Sequence, residues 1–256
     1  MRSSFGSSIL NFANQLSRKN MPLKTAGIDG CKAGWLLITF DEKPFYKVIR
    51  TEADLKETLL EFDRVFIDMP MGLEDDQYTR ECDRLLREKL GPDYASSVFS
   101  PPIRPALIAP SYVEANMQSY ELTEKKLTLQ AWNITPKIQV LDRFLTEESE
   151  LKNTLKESHP ELLFLDLNGG KIFQKKNTKK GLRHRLALVS EHEEIAKDFF
   201  RDIKEDFRRN EVEEDDIVDA MALALAAKWS EEKGLKTIPD DPPEDSKGIK
   251  MAIHYV

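Results

Sequence analysis

A carboxylate, Asp29, stands inside the strand-like run TAGIDGCKAGWLLITF at residues 25–40. The run reads as two strands joined by the KAG turn. A charge embedded in such a strand is expensive to bury unless something cationic meets it. About 190 residues later, EEDDIVDAMALALAAKW (213–229) opens a small-residue helix with Asp216 and Asp219 on its first turns. Any fold open to this chain must bury the strand and still satisfy Asp29, and a second acidic patch able to reach it points to a divalent metal site.

The order of the remaining elements narrows the fold. Residues 24–31 and 34–40 form the two strands, and FYKVIRT (45–51) alternates like a third, so short turns should give an antiparallel meander. TEADLKETLLEF, from Thr51, carries an N-cap-type residue, early acids and apolar residues at helical spacing. RVFIDMPMGL is a short apolar run ended by Pro70 and Gly72, read as a buried parallel strand with Asp68 near its carboxyl end. A helix over 76–91, a Pro-rich loop, a helical pattern over 111–131 and a short helix over 137–145 follow. KESHPE ends a further strand, and Pro160 starts a helix closed by Gly169 and Gly170. Residues 171–185 are basic and free of acids, 186–209 are helical, and the tail holds one terminal strand.

The order β-β-β-α-β, an α/loop insertion, β-α and a long final helix predicts an α/β protein with an RNase H-like fold. That means a mixed five-stranded sheet, three strands antiparallel and two parallel, with helices on both faces. The domain spans 24–256 with the insertion at about 75–150. Residues 1–23 read as an N-terminal extension, because the first twenty carry no acid and Met21 follows them, although a transit-type leader has a similar composition. In this fold Asp29 and Asp68 are expected side by side, with Asp219 brought to them by the last helix. No GxGxxG or GxxxxGK[ST] pattern supports a nucleotide-binding sheet.

Composition excludes some classes of function. No apolar run approaches the roughly 18–20 residues of a membrane span. Two cysteines, Cys31 and Cys82, form no disulfide framework, which suits a cytoplasmic setting. A net charge of -7 argues against coating nucleic acid by bulk electrostatics but leaves room for a local basic groove.

The chemistry that fits is metal-dependent phosphodiester hydrolysis. Two-ion cleavage needs three or four converging carboxylates holding ions about 3.5–4 Å apart. Two carboxylates about 4 Å apart repel by roughly 4 kcal/mol at an effective dielectric near 20, so such a cluster requires cations or protons. Oxygen-only ligands favour Mg²⁺ or Mn²⁺. Asp29, Asp68, Asp216 and Asp219 are the candidate ligands. Glu157 and His159 are further catalytic candidates, since a strand end places them on one face. Lys137, Lys175, Lys176, Lys179 and Arg183 are candidates for holding phosphate.

Each has an ordinary structural alternative. Asp29 can cap the turn at Gly30, Asp68 can stabilise the turn before Pro70, and Asp216 or Asp215 can cap the helix. His159 and Glu161 can tie strand to helix, Arg80, Asp83 and Arg87 can form an ion-pair ladder, and Trp35 and Trp132 can be core.

The segments GIDGCKAGW, FIDMPMGL, TRECDRLLREKLG, SSVFSPP, WNITPKIQVLD, KESHPE and DDIVDAMALALA occur in the order seen in domain-of-unknown-function family 429, which the chain resembles from about residue 24 onward. That resemblance implies a predicted nuclease of RNase H-like fold. DIVDAMALALA is also similar to the last helix of Holliday-junction resolvases of this fold, where an Asp-x-x-Asp pair binds metal. The expected function is a Mg²⁺- or Mn²⁺-dependent nuclease acting on DNA or RNA. The alternative is a non-catalytic nucleic-acid-binding protein of the same fold. An actin-like phosphotransferase would need two such domains, for which the chain is too short.

Overall fold

The computed structural model describes residues 22–76, 80–171 and 178–256. The proposed extension lies almost wholly outside the described residues, as do Lys175 and Lys176.

Strands β1 (Thr25–Cys31), β2 (Gly34–Thr39) and β3 (Phe45–Ile49) form the expected antiparallel meander, and helix α1 (Glu52–Leu59) leads to β4 (Arg64–Ile67). The Thr51 hydroxyl caps α1 by accepting from the Asp54 N–H. β4 runs parallel to β1, and β5 (Leu155–Glu157) runs parallel to β4, giving one five-stranded mixed sheet in the order β3-β2-β1-β4-β5.

Between β4 and β5 lie α2 (Glu81–Leu90), two short 3₁₀ turns, α3 (Tyr112–Thr123), α4 (Leu129–Glu147) and α5 (Leu151–Thr154). After β5 come α6 (Pro160–Leu167), α7 (Lys179–Ser190), α8 (Ala196–Asp206) and α9 (Glu214–Trp229). A separate hairpin pairs β6 (Lys236–Ile238) with β7 (Ile253–Tyr255). Among the described residues no helix is long and apolar enough to cross a membrane.

Period-two alternation sorts the sheet into two cores. Ala26, Ile28, Leu37, Val65 and Ile67 pack with α1 and α4 residues such as Leu55, Leu141 and Phe144. Cys31, Leu36, Ile38 and Phe66 pack on the other face with α2 and α6–α9. A satellite core of Ile103, Ala106, Ala115, Leu127 and Ala131 holds the middle of the insertion together.

Helix α9 is buried from Ile217 through Ala227, as a helix apolar on every side must be. Its alanines let it lie directly on β1. A Cβ at Gly27 would stand 2.1 Å from the Ala224 nitrogen and 2.5 Å from the Ala220 oxygen. Glycine is therefore required there by the approach of the two backbones.

Helix boundaries in the insertion differ from the sequence reading. The stretch 111–131 is broken at Glu124, which adopts φ 56. Thr128 then caps a new helix by accepting from the Ala131 N–H, and that helix runs through Pro136 to Glu147, absorbing the short helix expected over 137–145. Capping and the apolar face of Ile138, Leu141, Phe144 and Leu145 outweigh the hydrogen bond lost at proline. Likewise 186–209 is two helices, α7 reaching back to Lys179, and the terminal strand has a partner in β6 that the sequence reading did not anticipate.

Candidate active site

The ladder between β1 and β4 sets the centre of the site. Ile28 pairs with Ile67, and both side chains belong to the α1/α4 core. The Asp68 N–H continues the ladder by donating to the Ile28 carbonyl at 3.1 Å. By alternation, Asp29 and Asp68 follow on the opposite face, toward α9. Asp29 is buried, and its Oδ1 accepts from the Gly30 N–H at 2.7 Å, so the turn-capping alternative is realised.

Lys137 reaches this turn from α4. Its ammonium donates to the carbonyls of Cys31 (3.1 Å) and Gly34 (2.6 Å) and lies 4.8 Å from the centre of the Trp35 ring. Burial lowers its pKa, opposed by the nearby charges of Cys31, Asp29 and Asp216. Asp29 and Asp216 thus act on the same lysine from β1 and from α9.

Asp216 occupies the third position of α9 and closes a capping box, accepting from the Glu213 N–H at 2.8 Å. Burial pushes its pKa up to about 7; the Glu213 N–H opposes this, while Asp215, Asp219 and Glu213 add to it. Asp219, one turn on, is fully buried and meets Arg185 from α7 at 3.4 Å. The same guanidinium binds Glu161 at 2.6 Å and stacks 4.7 Å from the Phe164 ring. Glu161 therefore serves this knot.

A second buried arginine holds Glu157. Arg80 pairs with Glu157 at 2.6 Å and with Asp83 at 3.2 Å, and donates to the carbonyls of Met71 and Gly72, both at 2.8 Å. The other Glu157 oxygen accepts from the Met71 N–H at 2.7 Å. Burial pushes Glu157 up to about 7 against the pull of Arg80. Arg80 and Asp83 are thus part of a buried network, unlike an exposed surface ladder. Burial also pushes the neighbouring Cys82 thiol up to about 12.

Asp68, Asp83, Glu157 and His159 line one narrow cleft beyond the ends of β4 and β5. His159 is half-buried, with Nε2 3.5 Å from the Ser97 carbonyl. Lys179 and Arg183 project from the exposed side of α7, whose other side carries Arg185. Trp35 and Trp132 both take the core alternative.

Sequence reasoning missed Arg185 and assigned Arg80 only to a possible ladder. Arg185 had a legible signal: it falls on the stripe Gly181, Arg185, Leu188, Val189 that α7 turns inward.

Residues 27–244 match the family model described as protein of unknown function (DUF429). The chain belongs to this family. No curated protein and no solved structure matches it.

Among the described residues, no three His, Cys, Asp or Glu side chains are gathered closely enough to hold a metal ion. Asp29 lies on β1, Asp68 just after β4 and Asp216 on α9, and Asp219 and Glu157 face buried arginines, so no ion site is preformed among them.

Proposed function

We propose that this member of the family has an RNase H-like fold and hydrolyses phosphodiester bonds in nucleic acid with Mg²⁺ or Mn²⁺, Asp29, Asp68 and Asp216 being the carboxylates that a bound ion would have to draw together. The observation that carries the reading is the β1–β4 ladder. It sets two carboxylates side by side on the sheet face covered by α9, in the strand order β3-β2-β1-β4-β5. A divalent ion there would make bound water a nucleophile near neutral pH and offset charge developing on the phosphoryl oxygens.

The chain's own residues supply the rest. Asp29 is fixed by the Gly30 N–H, and Lys137 fixes the turn beside it through two carbonyls. Lys137 is thereby a positioning residue, a different role from the direct phosphate contact expected of it. His159, at the mouth of the cleft with Asp68, is suited to pass a proton to the leaving oxygen. Two buried free cysteines support a reducing, cytoplasmic location.

The test is cleavage of labelled single-stranded, duplex and junction DNA and RNA with Mg²⁺ or Mn²⁺. Asp29→Asn should lower turnover by at least about a thousandfold with the melting temperature preserved. Full activity in that variant would end the assignment.

One observation favours a second reading, a nucleic-acid-binding protein without catalysis. Asp219 and Glu157 are each engaged by an arginine inside the fold. That reading predicts binding with no cleavage in either metal.

A further inference from the structure

A groove of about 340 Å³ opens in the insertion, between the segment after α2 and the turn joining α3 to α4. Its lining includes Arg87, Lys125, Lys126, Ser96, Ser100 and Thr128, and no acidic residue is among the described residues that line it. The chain as a whole carries 45 acidic residues against 38 basic ones, so the groove is a local reversal of sign. Anions are drawn to such a place, and hydroxyls beside cations are the usual partners of phosphate oxygens.

The cations are held by the fold. Arg87 donates Nε to the Val98 carbonyl at 2.9 Å and Nη2 to the Ser100 hydroxyl at 3.0 Å, which anchors the guanidinium at the groove wall. The chain reversal that presents Lys125 and Lys126 is fixed at its start. There the Ser119 hydroxyl donates to the Lys125 carbonyl at 2.9 Å, and the Lys125 N–H donates to the Thr123 hydroxyl at 3.2 Å.

The groove also adjoins the candidate site. Val98 and Phe99 line both it and the cleft formed with Asp68, Glu157 and His159. Phe99 is half-buried, packed in part against the satellite core, and lies at the junction of cleft and groove. Aromatic rings beside a cationic track are the pattern that binds single strands, whose base faces are open to stack.

We infer that this groove is the subsite for backbone phosphates of a single-stranded nucleic acid flanking the scissile bond, with Phe99 stacking a base at its entrance. The inference rests on the nucleic-acid reading above and extends it to the direction in which the strand leaves the carboxylates. Lys125 and Lys126 contact phosphate there, and Arg87 holds the wall.

The experiment is fluorescence anisotropy of a labelled single-stranded oligonucleotide without divalent metal, so that binding is read apart from cleavage. It compares the full chain with Lys125→Glu/Lys126→Glu and with Asp29→Asn, over a series of salt concentrations. Both lysines are exposed, and the double variant should keep the wild-type melting temperature.

The expected result is a loss of affinity of about tenfold or more in the double variant. Its salt slope should fall by about 1.4, the value for two lost single-strand phosphate contacts. Asp29→Asn, which removes a negative charge from the carboxylate site, should bind at least as tightly as wild type. Unchanged affinity and slope in the double variant would overturn the inference, as would a wild type that does not bind the oligonucleotide. Inorganic phosphate competing as well as the oligonucleotide would make this a site for free phosphate and also overturn it.

Hydrolysis of a small activated phosphodiester in Mn²⁺, which needs no flanking strand, reads the proposed function separately. If hydrolysis survives while the binding prediction fails, only the groove assignment falls. If binding behaves as expected while hydrolysis is absent, only the catalytic reading falls.

Discussion

Two aspartates one turn apart on α9 lie in opposite surroundings. Asp219 is buried against Arg185, a guanidinium it shares with Glu161, so a cation of the fold already faces it. Asp216 is bound by a backbone N–H and pressed by Asp215, Asp219 and Glu213, so burial and like charge hold its pKa near about 7. A buried ion pair is a structural commitment, because removing one partner strands the other. A carboxylate pushed toward neutrality is a place where a proton or a metal ion would relieve the strain. Identical residue types thus point to different roles, and the side chains around them make the difference.

The sharpest way to break this contrast is at Arg185. Arg185→Met leaves Glu161 and Asp219 buried without their cation, and denaturant unfolding should show a loss of about 3–5 kcal/mol. A change below about 1 kcal/mol would mean that the knot contributes no more than a surface pair.

His254 extends the comparison to a buried group kept neutral. Its Nδ1 donates to the Glu157 carbonyl at 3.0 Å, and burial lowers its pKa from 6.5 to about 4. The unfolded chain therefore takes up this proton first as pH falls. The stability of the neutral ring is complete above pH 6.5 and drains between 6.5 and about 4, by about 3 kcal/mol in total. Glu157 and Asp216, raised to about 7, act in the opposite sense over this range, so the His254 contribution is read as the difference between the pH series of wild type and of His254→Gln.

Asp216→Asn is the smallest effect expected on stability. The amide can still accept from the Glu213 N–H and brings no charge into the acidic turn, so the change should stay within about 1 kcal/mol. A loss as large as that of Arg185→Met would erase the distinction between the two positions.

Much of the sheet was legible because its signals are local. The KAG turn, the Thr51 cap and the short apolar run before Pro70 each mark an element within a few residues. The β1–β4 pairing followed from element order, and the alanines of α9 announced a close approach to β1, which Gly27 accommodates. The partners of the buried arginines were not legible in the same way, although the inward stripe of α7 marks Arg185 itself. Arg185 meets partners 24 and 34 residues away, and Arg80 meets Glu157 across 77. No spacing rule pairs residues over such distances. Arg185 is further concealed in a basic run whose neighbours Lys179 and Arg183 are exposed. The break at Glu124 was also hidden, because the pattern over 111–131 continues through a turn fixed by side-chain bonds to Thr123 and Ser119.

On the proposed reading, Asp29, with Asp68 and Asp216, would hold metal while Asp219 serves the fold. Manganese titration by isothermal calorimetry tests it most directly, on wild type, Asp29→Asn and Asp219→Asn, each confirmed as folded. One ion per chain is expected for wild type and Asp219→Asn, and none for Asp29→Asn. Two ions in wild type, or binding lost in Asp219→Asn and kept in Asp29→Asn, would contradict it.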